Sequence, residues 1–263
     1  MEAMPKRMND QLIAIIGGTG VYQMPGVVSD AKDSIDTPYG EIEFSRARFI
    51  VNDRGASLPL IFLPRHGYHH SIPPHRINFR ANLYGLKQLG VTHILATAAV
   101  GSLRKEIAPA ELVLLDQFID FTRCRCSTFF DGGDMGVEHT DMTDPYDSNL
   151  RQSLLEAAKR ADLFLRDGGT YACTEGPRFE SRAEVKMLAQ LGGDVVGMTN
   201  VPEVVLAREL GIPYAVVALV TNYGAGLSDQ PLTHAEVTQA MDWNKERLQQ
   251  LLQAWFYVLM NDH

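Results

Sequence analysis

Cysteine is scarce in this chain, with three residues in 263, and the odd count leaves no complete disulfide framework. Cys124 and Cys126 flank Arg125 without the second pair a zinc site needs, and Cys173 stands alone. The expectation is reduced thiols in a cytoplasmic protein. Basic residues are outnumbered as well: 24 Lys and Arg against 32 Asp and Glu give a formal charge of −8. That balance excludes the positive field a nucleic-acid or acidic-membrane surface requires, so neither is expected as a partner. No apolar run approaches the ~20 residues of a membrane-spanning helix, and the polar opening MEAMPKRMND carries no signal-peptide pattern. Repeats, low-complexity stretches and Ser/Pro-rich linkers are missing too. One domain over 11–263 is therefore expected, preceded by a flexible N-terminal tail at 1–10.

What the chain does have is a series of short apolar runs rich in β-branched residues, at 12–16, 60–63, 93–99, 112–115, 194–198 and 214–220. Runs of that length and composition read as strands buried on both faces. Helical patterns lie between them, at 75–89, 148–161, 181–190, 202–210 and 233–259. The alternation predicts an α/β layered fold. Ligands in open α/β sheets sit at the carboxyl ends of strands, so the strand-to-helix corners are the places to search.

The first corner is Gly-Gly-Thr-Gly at 17–20. It is either a tight structural turn or an anion loop with backbone N–H groups and the Thr19 hydroxyl as donors. A dinucleotide fingerprint is excluded, because counting from Gly18 puts Gln23 where the last glycine belongs, and no Walker lysine follows. At the second corner, Leu63-Pro64-Arg65-His66-Gly67, the Arg–His pair forms either a fork of donors for a phosphate or carboxylate or a solvated loop. No carboxylate or cysteine shares the spacing of His66, His69, His70 and His75, which argues against zinc. The small residues of 96–102 either admit a ligand to the backbone or allow close helix packing. In Thr174-Glu175-Gly176-Pro177-Arg178-Phe179-Glu180-Ser181, Glu180 either favours a helix N-terminus or accepts from a ligand. Phe179 there either packs in the core or forms a wall for a flat heterocycle.

Taken in order, GGTG, PRHG, THILATAAVGSLRKEI, LLDQFID, CTEGPRFESRAE, VVGMTNVPEVVLARELGIPYA and LVTNYGAG resemble the family of purine nucleoside phosphorylases and methylthioadenosine/methylthioinosine phosphorylases. The likeness runs from about residue 13 to 252. It implies a single α/β domain with a mixed, twisted, partly closed central sheet flanked by helices, assembled as a homotrimer or homohexamer with sites near subunit interfaces. It also implies phosphorolysis, in which phosphate attacks C1′ of a purine nucleoside to release the base and a pentose 1-phosphate. No metal or organic cofactor is implied; inorganic phosphate is a co-substrate.

The resemblance assigns phosphate to Thr19, Arg65, His66, the backbone near Ala99, and Thr199, a donor set expected to lack a competing carboxylate. It departs from the family at Ala98, where relatives carry Thr or Asn, so one phosphate or ribose contact is expected to be lost or replaced. Met198 matches the methionine under the ribose. For the base, Asn222 stands where 6-oxopurine enzymes carry Asn and adenine-specific ones Asp, Gly224 stands where the latter place a second Asp, and Glu180 matches the 6-oxopurine branch. The chemistry agrees: an amide donates to O6 and accepts at a protonating N7, while an ionised Glu180 accepts from N1–H. Asn222, His66 and Glu180 are thus the expected catalytic residues, with Phe179 stacking on the base.

His234 matches a residue that contacts the 5′-hydroxyl, and favours inosine and guanosine over S-methyl-5′-thioinosine, the runner-up; it also fits a solvated helix start. His139 resembles a residue lent by a neighbouring subunit. Two rivals remain from other classes. A nucleoside hydrolase needs a carboxylate base near the sugar, for which no position matches, and a purine-binding protein without turnover gains support only from Ala98.

Overall fold

The computed structural model describes residues 11–17, 24–50, 57–228 and 234–261, with 234–242 and 261 as a backbone path only. The expected tail at 1–10 and Thr19 lie outside the described residues, as does the side chain of His234. Among the described residues, eleven strands join in one sheet and five helices accompany it. The mixed α/β architecture is the expected one. No described helix is long and apolar enough to cross a membrane.

Strand β1 (Ile13–Gly17) pairs in parallel with β4 (Ser57–Pro64) on one side and with β5 (His93–Ser102) on the other. Strand β11 (Tyr214–Tyr223) runs parallel to β5 along its second edge. All are buried on both faces, and alternate residues divide between two cores, as the two-residue strand period requires. Ala14, Ile16, Ile94, Ala96 and Val216 face helices α1 (Phe79–Gln88) and α4 (Asn200–Glu209). Ile13, Ile15, Leu95 and Val217 face α2 (Ser148–Arg160) and α5 (His234–Asn261), where Trp255 is fully buried and its indole N–H donates to Ser153 Oγ at 2.8 Å.

Strands the apolar runs did not mark include the hairpin β2 (Val27–Thr37) and β3 (Gly40–Ile50). β2 is almost wholly solvent-facing, so it has no apolar run to find. β3 buries Ile42, Phe44, Ala47 and Phe49 in an alternation that was legible but short of a continuous run. Short pieces β7 (Gln117–Asp120), β8 (Arg166–Asp167) and β9 (Thr170–Cys173) also escape the pattern, whereas β6 (Leu112–Leu114) and β10 (Val195–Gly197) fall within expected runs. The helix expected from residue 75 is a 3₁₀ turn, Pro74–Arg76, followed by a fresh start at Phe79. There the Asn78 side chain accepts the Ala81 N–H and caps the helix.

The direction of the strands creates the site. β1, β4, β5 and β11 run one way, while β10 is antiparallel to β5, and β9 and β7 run with β10. On the same edge of β5, β1 pairs as far as Ala96, and β10 begins pairing at Gly101. Residues 97–100 between them have neither strand as a partner. The carboxyl ends of two oppositely directed strand sets therefore face one another across this open stretch.

Candidate active site

Ala99 is exposed in the middle of the most enclosed strand of the sheet, with buried Ala98 and Val100 on either side. Its exposure shows that the open edge is accessible to a ligand. Ala98, where a side-chain contact was expected to be missing, is buried in the same cluster as Ala96 and Val100.

From the β4 end come Arg65 and His66. Arg65 donates through Nε and Nη2 to both carboxylate oxygens of Glu203, each at 2.7 Å, and through Nη1 to the Thr97 carbonyl at 3.0 Å. This corrects the expectation of a donor set free of carboxylates. Glu203 is 0% exposed and lies 138 positions from Arg65, on a helix that is apolar almost all round. A lone acid inside Val-Pro-Glu-Val-Val-Leu was the one available signal. Burial opposes the charge on Arg65, but attraction to Glu203 outweighs it and raises the pKa above its ordinary value. Of five guanidinium N–H groups, three have these partners, leaving one each on Nη1 and Nη2 beside the open edge of β5. Tyr214 donates its hydroxyl to Glu203 at 2.7 Å, and burial beside that carboxylate holds the phenol well above its usual pKa.

His66 Nδ1 lies 2.8 Å from the Ile72 carbonyl, so Nδ1 carries the proton in the neutral ring and Nε2 presents a lone pair. Burial is the largest influence on this imidazole, and with Arg65 and His70 nearby it is pushed down to about 4 despite the Ile72 bond. His70 stacks on it at 4.4 Å between centroids. No three His, Cys, Asp or Glu side chains cluster as a metal site among the described residues.

From the β10 end come Met198 and Thr199. Thr199 is buried at the N-cap of α4, and its N–H donates to the Tyr171 hydroxyl at 3.2 Å. Met198 is half-buried under the turn after β9: a Cβ on Gly176, whose φ is +67°, would stand 2.5 Å from its sulfur, so only glycine permits this approach.

That turn leads to Phe179 and Glu180. Core packing is excluded for Phe179, which is 70% exposed. Glu180 stands one residue before the N-cap of α3 (Arg182–Gln190), where its charge still meets the helix dipole, while the capping bonds themselves are made by Ser181 and Glu184. Glu180 accepts the Thr174 hydroxyl at 2.6 Å.

Asn222 reaches the site through a β-bulge. Between Val220, opposite Val100, and Asn222, opposite Gly101, Thr221 is an extra residue. The Asn222 amide lies against Gly101, where an added Cβ would come within 3.3 Å of Nδ2. Locally it accepts the Thr221 hydroxyl at 2.8 Å and donates to the Tyr223 carbonyl at 2.9 Å, leaving one N–H and one lone pair. Gly224 is tightly packed: a Cβ would stand 3.0 Å from the Ser102 carbonyl oxygen and from a Val185 methyl. His139 is not brought into this group. It is exposed on a loop held at the far end of α4, where Arg208 donates to the Asp141 carbonyl and Glu209 accepts from Thr128 and Phe129.

Residues 12–256 match the model of the Phosphorylase superfamily. A Moorella thermoacetica protein named as a probable 6-oxopurine nucleoside phosphorylase is 50% identical over 91% of this chain and 90% of its own length. The 6-oxopurine nucleoside phosphorylase of Pyrococcus furiosus is 48% identical over 92% of this chain and 91% of its own. Among solved structures, a methylthioadenosine phosphorylase from an antarctic soil metagenomic library superposes with a TM-score of 0.86 at 38% identity, covering 95% of this chain and 86% of that one.

Two outcomes follow from the buried charges. Glu203→Gln strands the Arg65 cation and is expected to lower unfolding free energy by about 3–5 kcal/mol; an unchanged urea midpoint would show the pair to be dispensable. His66 is neutral in the fold down to about 4, whereas its unfolded pKa is about 6.5. Protons therefore favour the unfolded chain between those values, and stability falls as pH drops through that window. In His66→Asn that part of the pH dependence should disappear from the unfolding curves.

Proposed function

We propose, from the premise that this chain belongs to the phosphorylase superfamily, that it cleaves 6-oxopurine nucleosides, inosine and guanosine, with phosphate to give the free base and ribose 1-phosphate. One observation carries the reading: opposed strand ends meet across the open stretch of β5, with Arg65, His66 and Asn222 coming from the β4 and β11 set and Glu180 and Thr199 from the β9 and β10 set. A phosphate placed at the open edge meets the two remaining N–H groups of Arg65 and the Thr199 hydroxyl, which makes no capping bond to α4. The lone pair of His66 Nε2 suits the P–OH of hydrogen phosphate. Thr19 completes this set in the proposal.

The ribose then lies over exposed Ala99 and beside Met198, whose thioether offers no competing nucleophile to a developing cation. A phosphate oxygen forms the bond to C1′ as the bond from C1′ to N9 breaks, and the electron pair leaves on the purine. Asn222 Nδ2–H meets that charge at the O6/N7 edge, Glu180 accepts from N1–H, and solvent supplies the proton that neutralises the base. Holding both ends in place and meeting charge where it develops is the main source of acceleration in such a reaction. No organic cofactor or metal has a role in this scheme.

Gly224 supports the assignment to 6-oxopurines, since it supplies no second acid of the kind an adenine site would use, and a side chain there would press on Ser102 and Val185. His234 is assigned to the 5′-hydroxyl. S-methyl-5′-thioinosine is the second reading, favoured by the likeness to a methylthioadenosine phosphorylase across 95% of the chain. The domain is taken as 11–263, in a cytoplasmic protein with exposed free Cys124 and Cys126. A homotrimer or homohexamer is proposed in which the loop bearing His139, with Met135 and Val137 exposed beside it, serves a neighbouring subunit's 5′ pocket.

Purified protein given inosine, guanosine, S-methyl-5′-thioinosine, adenosine and methylthioadenosine should release hypoxanthine or guanine only when phosphate is present. Adenosine should be cleaved slower by about 10⁴-fold, because it would leave Glu180 facing an acceptor. Equal rates for inosine and adenosine would refute the base assignment, and release without phosphate would indicate a hydrolase. Asn222→Asp should lower kcat/KM for inosine by about 10- to 150-fold and move the preference toward adenosine. An unchanged preference would remove Asn222 from base recognition.

A further inference from the structure

Arg125 lies outside both groups of site residues, yet it bonds to the backbone on each side. Its side chain is 2% exposed. Nε donates to Glu175 Oε1 at 3.1 Å, Nη2 to the carbonyls of Thr174 at 3.2 Å and Glu175 at 2.9 Å, and Nη1 to the carbonyl of Val201 at 2.6 Å. Nη1 also lies 4.0 Å from Cys173 Sγ, and the guanidinium sits over the Phe79 ring at 5.4 Å. Glu175 fixes the loop in turn, its Oε2 accepting the N–H groups of Arg123 at 2.6 Å and Cys124 at 3.1 Å.

These partners sit where two parallel strands part. β9 and β10 remain paired to Cys173 opposite Gly197, with a last bond from the Thr174 N–H to the Gly197 carbonyl at 2.9 Å. Beyond it one chain turns toward Glu180 and the other toward Thr199 and Val201. The Arg125 guanidinium fills the fork, and its rigid planar donors bridge Thr174 and Glu175 on one arm to Val201 on the other. A lysine has one freely rotating ammonium and cannot hold both arms in that plane.

We propose that Arg125 is a positioning residue that sets the spacing between the purine-side turn carrying Glu180 and the phosphate-side turn carrying Thr199, so that occupancy at one end strengthens the grip at the other. The proposal rests on the phosphorolysis reading of this site. It predicts that phosphate tightens hypoxanthine binding in the native protein and that the coupling depends on Arg125.

The test compares the native protein with Arg125→Lys and Glu175→Gln, measuring kcat and both KM values, hypoxanthine affinity with and without inorganic phosphate, and thermal midpoint. Arg125→Lys is expected to lower kcat by about 10- to 100-fold, the scale of a misplaced reacting group, and to abolish the effect of phosphate on hypoxanthine affinity. Glu175→Gln keeps an acceptor for Nε without the charge, and should weaken the same coupling in a folded protein even where Arg125→Lys does not fold. A lowered thermal midpoint with native kcat and native coupling in the folded variants would make Arg125 merely structural and overturn the proposal. So would phosphate-independent hypoxanthine affinity in an active native protein. A native protein that releases no base with phosphate would instead overturn the phosphorolysis reading itself.

Discussion

A change of partner along one edge of β5 governs the whole arrangement. A strand at the centre of a sheet ordinarily has both edges paired, because unpaired backbone groups in a dry interior are costly. Here β1 leaves the edge at Ala96, and β10 joins it at Gly101 from the opposite direction. Within the open stretch the Arg65 side chain donates to the Thr97 carbonyl, a bond that a neighbouring strand would otherwise make. The reversal brings together loops that would otherwise emerge at opposite ends of the sheet, which is why residues following β4, β9 and β10 and at the end of β11 gather at one open stretch.

The charge beside this stretch is set by the buried pair of Arg65 and Glu203. An isolated buried cation would be expensive, and a bidentate carboxylate with a further hydroxyl from Tyr214 makes it tolerable while fixing the guanidinium plane. The resulting site is less electropositive than a bare Arg–His–Thr set. His66 follows the same logic, being neutral beside Arg65 and presenting a lone pair rather than a second cation. In the proposed reaction this suits a phosphate that still carries a proton.

Legibility in the sequence followed burial. β1, β4, β5, β10 and β11 were marked by apolar runs because both of their faces are covered, and the amphipathic helices by their periodic stripes, with α4 apolar almost all round. The exposed strand β2 left no such trace, and β9 was too short to mark. At the site, Arg65, His66, Met198, Thr199 and Asn222 were all found at strand ends. Glu203 and Arg125 were not, since each reads locally as a helix or loop residue and acquires meaning only from a partner 138 or 76 positions away.

Residue order alone marked an α/β chain with candidate residues at strand corners, because those signals are local: an apolar run, a turn, a side-chain type; the resemblance to the phosphorylases then picked out Asn222, Glu180 and Gly224. Folding in three dimensions settled what depends on distant neighbours. It opposed the two strand sets, gave Arg65 a carboxylate partner, inserted Thr221 as a bulge that sets the Asn222 register, and packed Gly224 against Ser102 and Val185. Each of these is a contact between segments far apart along the chain, and no spacing within one segment encodes it.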